Sequence, residues 1–441
     1  MRNRRLTLFA FRASRAALAA VTAAVIFAQA VEVPAQAPTA DPPPIGMEVF
    51  KARRQALMDS IGAGTAILYS QGRSGETGYH ADANFWYLTG NDEGGAILVL
   101  QPGEYDREIL LTPSRDTEDE RWTGMRPALT ESLKVAWGFD DIRRTGSLNG
   151  MLVNNMKHTP TLHLISPLVS PSSDVPKDLE LYRKVSGRIP GVEIENSSHF
   201  LESMRMVKSD AEVAAIEKAI AVTHQGITDL LAAVRPGIYE YQLDGILEES
   251  FKRRGAQHMA FDPIVGAGVQ TAILHYERRD QPLKEGQLLL LDVGAAWDHY
   301  RGDISRTVPV DGTFTPEQAE IYDIVLAALN AAIDAVKPGV TTRDVHEVAR
   351  DVIRRSGYVD DFIHSTSHHL GLQTHDAADY GTPLAPGMVI TIEPGIYLPD
   401  REIGVRIEDD VVVTKTGCRV LSAAIPRDRV AVEAWLAAAR R

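Results

Sequence analysis

The sequence predicts an α+β protein with two domains, the second of which consists of two similar halves. With 441 residues, the chain is longer than one ordinary hydrophobic core requires. Residues 282–294 and 383–395 repeat one pattern, in which Pro-Leu and a glycine lead into a short apolar run, an acid and a closing glycine. Before this repeat, short apolar runs alternate with helical segments, which is typical of a smaller α/β domain.

The first 37 residues have the layout of an export signal. Five arginines precede an uncharged run of 13 residues, 16–28, and small-x-small sites follow at 28–30 and 35–37. The run is shorter than the roughly 20 residues that span a bilayer. We therefore expect residues 1–37 to be a signal and cleavage region, with no membrane span after cleavage. The pair Arg4-Arg5 also resembles a twin-arginine signal, so both export routes stay open for a protein of the bacterial periplasm or exterior.

Composition shifts and helix caps divide the rest of the chain. Residues 38–46 are a proline-rich linker. Residues 47–202 are expected to form the α/β domain, and residues 203–441 the second domain, which opens with a capping box at Ser209 and Glu212. The elements expected in the first domain are a helix near residues 50–61 and strands at residues 66–69, 85–88, 96–100 and 109–111.

Charge and cysteine content exclude several classes of protein. Apolar residues make up 44% of the chain and charged residues 24%, which is a globular balance. The net charge of −13 argues against nucleic acid or an anionic membrane as the main partner. Cys418 is the only cysteine, so no intrachain disulfide can form.

The duplication extends beyond the strands. Residues 235–255 and 337–357 match at an offset of 102, and each segment begins with a basic residue before Pro-Gly and ends at a glycine. Each predicts an amphipathic helix with a glycine stop. A histidine follows in each half, His275 in the first and His375 in the second, shortly before the repeated Pro-Leu. Because a two-fold arrangement brings equivalent positions together, one shared site is expected between the halves.

Four acids are the candidate ligands of that site. Asp292 and Asp303 belong to the first half, and Glu393 and Glu408 to the second, each pair on strands expected to be neighbours. Buried together, four carboxylates cannot all stay ionised without cations. Oxygen ligands with one imidazole, best supplied by His368, suit two divalent ions, with manganese as the expected metal.

The residues around these acids resemble the creatinase or pita-bread metallopeptidases, and within them the aminopeptidase P family. The motifs are Leu-Asp292-Val-Gly, Gly-Asp303-Ile-Ser-Arg-Thr, Ser-His368-His-Leu-Gly-Leu, Thr-His375-Asp, Ile-Glu393-Pro-Gly and Arg-Ile-Glu408-Asp-Asp. Residues 84–90, Asn-Phe-Trp-Tyr-Leu-Thr-Gly, and residues 204–209, Met-Arg-Met-Val-Lys-Ser, resemble the N-terminal domain and the domain junction of that family. The resemblance implies a pita-bread catalytic domain of two pseudo-symmetric halves after a smaller α/β domain.

The resemblance also implies the metal ligands. Asp292 would chelate one metal, His368 and Glu393 the other, and Asp303 and Glu408 would bridge the two. A hydroxide between the metals would be the nucleophile.

Further roles follow from the same resemblance. Glu393 would accept the proton of the attacking water, while His275 and His375 would hold the scissile carbonyl and stabilise the tetrahedral intermediate. Arg406 would assist substrate binding. His364 would do so too, although Ser365 stands where relatives often carry glycine.

The function expected is an Xaa-Pro aminopeptidase, which removes an N-terminal residue that precedes proline. A prolidase, restricted to Xaa-Pro dipeptides, is the alternative, because the same five ligands would serve both enzymes. A non-catalytic or metal-free protein on the same fold is a further alternative, although all five ligand positions are intact here. The expected partners are peptides with proline at the second position, and the resemblance also implies a homo-oligomer.

Overall fold

The computed structural model describes residues 45–71, 73–75, 78–167 and 170–441. The predicted signal segment and most of the predicted linker therefore lie outside the described residues. The helices are α1 (Met47–Ile61), α2 (Ala83–Thr89), α3 (Asp119–Thr123), α4 (Glu131–Trp137), α5 (Leu148–Asn155), α6 (Lys177–Ser186), α7 (Ser198–Met206), α8 (Asp210–Ala233), α9 (Glu240–Arg253), α10 (Pro316–Ala335), α11 (Thr342–Arg355) and α12 (Arg429–Ala439). Within these ranges no helix combines the length and apolar character needed to cross a membrane.

The strands form one large sheet and several small ones. They are β1 (Thr65–Tyr69), β2 (Arg73–Gly75), β3 (Gly78–His80), β4 (Ile97–Leu100), β5 (Glu108–Thr112), β6 (Asp141–Arg144), β7 (Thr161–Leu164), β8 (Glu193–Asn196), β9 (His258–Met259), β10 (Ile264–Ala267), β11 (Leu288–Val293), β12 (Ala295–Trp297), β13 (Tyr300–Arg301), β14 (Ile304–Pro309), β15 (Val389–Ile392), β16 (Gly395–Leu398), β17 (Ile403–Arg406), β18 (Asp409–Val413) and β19 (Cys418–Val420).

The large sheet belongs to the N-terminal part and has the order β6-β5-β4-β1-β7-β8. Strand β1 runs antiparallel to β4 and parallel to β7. Leu98 and Leu100 face one apolar cluster, whereas Ile97 and Val99 face another on the opposite side of the sheet. Because both faces of β1, β4 and β5 are buried, these central strands are nearly continuous apolar runs rather than alternating ones.

One predicted strand of this region is wrong, because residues 85–88 belong to helix α2. Asp82 caps the helix by accepting hydrogen bonds from the amides of Asn84 (2.9 Å) and Phe85 (3.2 Å). Gly90 then ends it in a left-handed conformation, with φ of 61°. Residues 84–89 are all buried, and a short helix buried all round has no amphipathic period that would distinguish it from a buried strand.

The C-terminal part contains the repeated strands in matching hairpins. Strand β11 pairs with β14, from Leu288 opposite Pro309 to Val293 opposite Ile304. In the second half, β15 pairs with β18. The predicted return of the chain along a neighbouring strand is therefore confirmed in both halves.

Two long helices of the C-terminal part begin at side-chain caps. Ser209 and Glu212 form the expected capping box of α8, and Thr315 caps α10 by accepting from the amide of Gln318. The duplicated helices α9 and α11 are followed by Gly255 and Gly357, whose φ angles are 84° and 88°. The matching stops confirm the helical part of the duplication.

The two halves also share a pair of backbone hydrogen bonds. In each half, the glycine of the Pro-Gly turn donates to a leucine carbonyl, and the amide of that leucine donates to the residue after the glycine. The bonds are Gly237 N to Leu283 O (2.8 Å), Leu283 N to Ile238 O (2.8 Å), Gly339 N to Leu384 O (2.9 Å) and Leu384 N to Val340 O (2.7 Å). These bonds place the start of each repeated strand against the turn that precedes its helix.

Two glycines give opposite predictions for substitution by alanine. A Cβ atom at Gly294 would overlap the carbonyl oxygen of Gly302, and backbone cannot move aside as a side chain can. We expect Gly294→Ala to lower the free energy of unfolding by about 3 kcal/mol. Gly245 lies exposed within α9, and a Cβ atom added there would have nothing within 4 Å. Gly245→Ala is therefore expected to raise the free energy of unfolding by about 0.5–1 kcal/mol.

Denaturant unfolding of the two variants beside the parent chain checks both signs. Equal stability of the two variants would contradict the steric argument. The Gly245 variant also serves as the control for adding a methyl group as such.

Candidate metal centre

The four predicted acids lie at neighbouring strand ends. Asp292 is in β11 and Asp303 directly precedes β14, its partner strand. Glu393 directly follows β15 and Glu408 directly precedes β18, again paired strands. The amide of Glu408 donates to the carbonyl of Ser305 (3.1 Å), which joins the first hairpin to the second. The two halves therefore bring their acids to one place.

Side-chain distances define the cluster. Ligand atoms of Asp303, His368 and Glu408 all lie within 4.8 Å of one another. His368 Nε2 is 3.5 Å from Asp303 Oδ2 and 3.7 Å from Glu393 Oε1. Asp292 lies close enough to Asp303 and Glu408 to raise the pKa of both, and its Oδ2 atom accepts a hydrogen bond from Arg406 at 2.5 Å.

The carboxylates of the cluster need cations nearby if they are to stay ionised together. Burial raises the pKa of Asp303 and of Glu408 well above the ordinary range, and the neighbouring carboxylates raise it further. Burial likewise raises the pKa of Glu393 to about 8, although Arg406 opposes the shift. Within the described chain, Asp292 Oδ1 is buried and accepts no hydrogen bond. These acids fit a divalent cation, which would stabilise their ionised forms.

His368 has the form that a metal ligand needs. Burial lowers its pKa to about 4, so the imidazole is neutral near pH 7. Its Nδ1 atom lies 3.1 Å from the backbone carbonyl of His369 and can donate to it, which leaves Nε2 toward the acids. One imidazole with four carboxylates is a donor set for hard or borderline divalent ions.

The first half has no counterpart of this histidine. Strand β10 pairs with β11 so that Gly266 lies opposite Leu290. In the second half, an isolated bridge pairs His369 with Ile390, so His368 is in register with Thr391. Thr391 takes the place of Leu290 in the repeated strands, which makes His368 the counterpart of Gly266. The first half thus has a glycine where the second half has an imidazole.

A cavity of about 1280 Å³ contains the cluster. Every residue that the sequence indicates for the site lines it. These residues are His275, Asp292, Asp303, His364, His368, His375, Glu393, Arg406 and Glu408. The rings of His275 and His375 are open to solvent there, whereas His368 is buried. The cavity therefore combines acids that are buried or half-buried with two imidazoles that are exposed.

Arg406 and His364 are joined by a residue that the sequence reasoning missed, Tyr397. The hydroxyl of Tyr397 accepts from Arg406 Nη1 (3.1 Å) and lies 2.7 Å from His364 Nε2. Burial lowers the pKa of His364 to about 4, and Arg406 lowers it further. Tyr397 lies in a short apolar strand, where a tyrosine reads as core. The only available signal was its position four residues after Glu393.

A second layer behind the acids was also missed. Ser305 donates to Glu408 Oε2 (2.8 Å) and accepts from Arg406 Nε (2.9 Å). Asp410 Oδ2 accepts from the amide of Asp303 (3.0 Å). These contacts fix the orientation of the acids, as outer partners of metal ligands commonly do.

Comparison with family models gives the class of protein. Residues 214–415 match the model of metallopeptidase family M24. Residues 50–164 match the model of the aminopeptidase P N-terminal domain. The fold and the acidic site therefore define a metallopeptidase.

Individual relatives narrow this class. The Xaa-Pro aminopeptidase of Escherichia coli (strain K12) is 34% identical over 445 residues, which cover 90% of this chain and 99% of that protein. The solved structure of E. coli aminopeptidase P with the inhibitor Pro-Leu has a TM-score of 0.80 and 32% identity, covering 90% of this chain and 99% of that one. An Xaa-Pro dipeptidase of Pyrococcus furiosus is 38% identical over 348 residues, covering 77% and 90%. The chain belongs to the aminopeptidase P family of the pita-bread superfamily.

Family membership decides several of the predictions. The chain is a metallo-aminopeptidase, and the pita-bread fold after an α/β N-terminal region is confirmed. The alternative of a non-catalytic or metal-free protein is thereby set aside. The family implies divalent metal ions and peptide substrates that contain proline.

Proposed function

We propose that the protein is a dinuclear Xaa-Pro aminopeptidase, which hydrolyses the bond between an N-terminal residue and a following proline. The observation that carries the proposal is the cluster of Asp303, His368 and Glu408, extended by Asp292 and Glu393, on the floor of a cavity. Relatives named Xaa-Pro aminopeptidase support the substrate class.

The ligands divide between two ions in this proposal. Asp292 would hold one ion, His368 and Glu393 would hold the other, and Asp303 and Glu408 would contribute to both sites. Manganese suits this set of oxygen donors with one imidazole. When bound, the ions supply Lewis acidity, which lowers the pKa of the attacking water and polarises the scissile carbonyl.

The protein's own groups move the protons. Glu393 Oε1 lies 3.7 Å from the predicted ligand His368, and its side chain lines the cavity. We assign it as the base that takes a proton from the attacking water and returns that proton to the prolyl nitrogen when the C–N bond breaks. His275 and His375 donate to the carbonyl oxygen, on which negative charge develops. Arg406 holds Asp292 in place and, with His364, lines the wall that the substrate meets.

The size of the cavity favours an aminopeptidase over a prolidase. Its volume of about 1280 Å³ is above the usual range of small-molecule pockets, about 300–1,000 Å³. A dipeptide fills only a part of such a space. The E. coli structure holds an inhibitor, Pro-Leu, that begins with proline, as does the product expected here. Longer peptides are therefore the preferred substrates in this proposal.

Three peptides test the proposed function. The protein is stripped of metal, reloaded with manganese, and incubated with Ala-Pro-Pro, Ala-Pro and Ala-Ala-Ala. We expect alanine to be released from Ala-Pro-Pro, and Ala-Ala-Ala to remain intact. Hydrolysis of Ala-Pro alone would select the prolidase instead, and equal hydrolysis of Ala-Ala-Ala would remove proline from the proposal.

The proposal extends to the organisation of the chain. We infer an α/β domain at residues 47–202 and a catalytic domain at residues 203–441, which contain the two family matches. Residues 1–37 would direct export to the periplasm or beyond, and the mature chains would assemble into a homo-oligomer. The N-terminal sequence and the sedimentation mass of the native protein test these two points.

A further inference from the structure

Two motifs outside the metal centre meet at one buried ionic cluster. Asn84, of residues 84–90 in α2, accepts a hydrogen bond at Oδ1 from Arg205 Nη1 at 2.6 Å. Arg205 lies in α7 and belongs to residues 204–209. Its Nη2 atom donates to Gln373 Oε1 (3.1 Å) and to Asp376 Oδ1. The guanidinium therefore joins the N-terminal sheet region to the segment before β15.

Lys208 completes the group, which we call the Asp376 cluster: Arg205, Lys208 and Asp376. Lys208 Nζ lies 3.0 Å from Asp376 Oδ2, so each oxygen of the carboxylate has its own cation. The three residues are 3%, 4% and 6% exposed. Although burial opposes ionisation, both cations lower the pKa of Asp376 to about 2. Buried pairs of this kind are costly to break, because removing one partner leaves a charge without compensation.

The cluster holds the backbone that carries His375. The amide of Asp376 donates to the carbonyl of His369 (2.9 Å), and a Cβ at Gly371 would overlap Asp376 Oδ2. The chain thus wraps closely around the carboxylate. The neighbouring His375 ring packs edge-on against His368, with centroids 4.3 Å apart at 84°. Because the His375 ring is open to the cavity, its position depends on this backbone.

We propose that Arg205 is a positioning residue for His375, acting through Asp376 and braced by Asn84. The inference rests on the proposed role of His375 at the scissile carbonyl. A guanidinium suits this task because its planar fork donates from two separate nitrogens to acceptors on two distant segments, whereas an ammonium donates from a single nitrogen. Misplacing a group that acts in the transition state by about 1 Å can cost up to about 10²-fold in rate.

Arg205→Lys is the first test, since it keeps the charge and removes the fork. We expect kcat on Ala-Pro-Pro to fall about 10-fold, with KM and bound manganese close to those of the parent. His375→Ala is expected to lower kcat by about 10²-fold. The double variant should then be no slower than His375→Ala, because Arg205 acts through the histidine that is already missing. If the fold losses in kcat of the two single variants multiply in the double variant, the proposal is wrong.

Asn84 gives a matched pair of variants. Asn84→Ala removes the acceptor that braces Arg205 and is expected to lower kcat several-fold. Asn84→Asp keeps an oxygen in the same place, and its charge offsets the excess of two cations over one carboxylate. We therefore expect Asn84→Asp to retain the parent kcat. If Asn84→Asp loses as much kcat as Asn84→Ala, the proposal that Asn84 braces Arg205 is contradicted.

Arg53→Lys is the control for general loosening of the fold. Arg53 is also a buried guanidinium of the N-terminal region, with Nη2 3.0 Å from Glu212 and Nη1 donating to the carbonyl of Tyr87 (3.1 Å). It makes none of the contacts of the Asp376 cluster. We expect this variant to lower the unfolding midpoint and leave kcat unchanged. An equal fall of kcat in Arg53→Lys and Arg205→Lys would overturn the positioning role.

The two proposals fail in different ways. If His375→Ala keeps the parent kcat, the role of His375 fails, and the inference about Arg205 falls with it. If His375→Ala is slow and Arg205→Lys is not, only the positioning role is wrong.

Discussion

Asp303→Asn is expected to abolish peptide hydrolysis, lowering kcat/KM by about 10³-fold or more. Asp303 is the acid that joins the two halves of the cluster, since its ligand atom lies within 4.8 Å of those of His368 and Glu408. A neutral amide of the same shape is a weak ligand and cannot bridge two cations. Manganese content, measured with activity, should fall in parallel.

The same substitution should leave the metal-free protein at least as stable as the metal-free parent. Burial and the neighbouring carboxylates both disfavour the ionised form of Asp303, so a neutral amide avoids the cost of either burying that charge or protonating the carboxylate. Asp178→Asn is the control, because Asp178 is equally buried but lies in the N-terminal region beside Ser166, whose hydroxyl donates to it (2.5 Å). Full activity of Asp303→Asn with manganese bound would contradict the ligand assignment.

Removing the metal is expected to abolish activity and to make stability fall as the pH rises from about 7.5 to 8.5. In the folded metal-free protein, the pKa of Glu393 is about 8, above the value of 4.5 for an unperturbed glutamate. The folded state therefore binds a proton that the unfolded state has already released, and it loses this advantage as the pH rises. Glu393 alone then lowers the free energy of unfolding by about 0.7 kcal/mol across this window. Asp303 and Glu408, whose pKa values are also raised, act in the same direction.

The window begins at about pH 7.5 because histidines act in the opposite sense at lower pH. Burial lowers the pKa values of His364, His368 and His369 from 6.5 to about 4. Each stabilises the fold above pH 6.5, and that contribution is lost as the pH falls toward 4. From about pH 7.5 upward these histidines are largely neutral in both states, so the acids set the sign of the slope.

Unfolding midpoints at several pH values, with chelator and with manganese, measure this effect. Manganese should raise the midpoint and flatten the slope, since a bound cation keeps the acids ionised at every pH in the window. Glu393→Gln should reduce the slope of the metal-free protein. A metal-free parent whose midpoint is constant from about pH 7.5 to 8.5 would contradict the repulsion in the cluster.

The metal centre was accessible from the sequence because its signals are local. Asp292 and Glu393 stand at the ends of apolar runs, where an acid is out of place, and the repeat doubles the signal. Helix α2 was misread because residues 84–89 are buried on every side, which erases the period. Tyr397 was missed because an aromatic residue in an apolar strand resembles core.

The Asp376 cluster could not be predicted, since its contacts join distant parts of the chain. Asn84 and Arg205 are 121 positions apart, and Arg205 and Asp376 are 171 apart. The motifs that contain Asn84 and Arg205 were visible, but their meeting was not. Periodicity and capping report on neighbours in the chain, whereas this cluster depends on how the two regions pack.

The contrast between Gly266 and His368 has an evolutionary consequence. After duplication, the backbone bonds shared by the two halves place no demand on side chains, so each copy is free to diverge. The first copy has filled the space beside Gly266, where an added Cβ would lie 3.2 Å from the ring of Tyr276. Glu240 holds that ring, accepting from its hydroxyl at 2.8 Å. A histidine at Gly266 would have to displace the ring of Tyr276 or part of Gln270, so a mutation there is expected to cost stability before it could add a second imidazole.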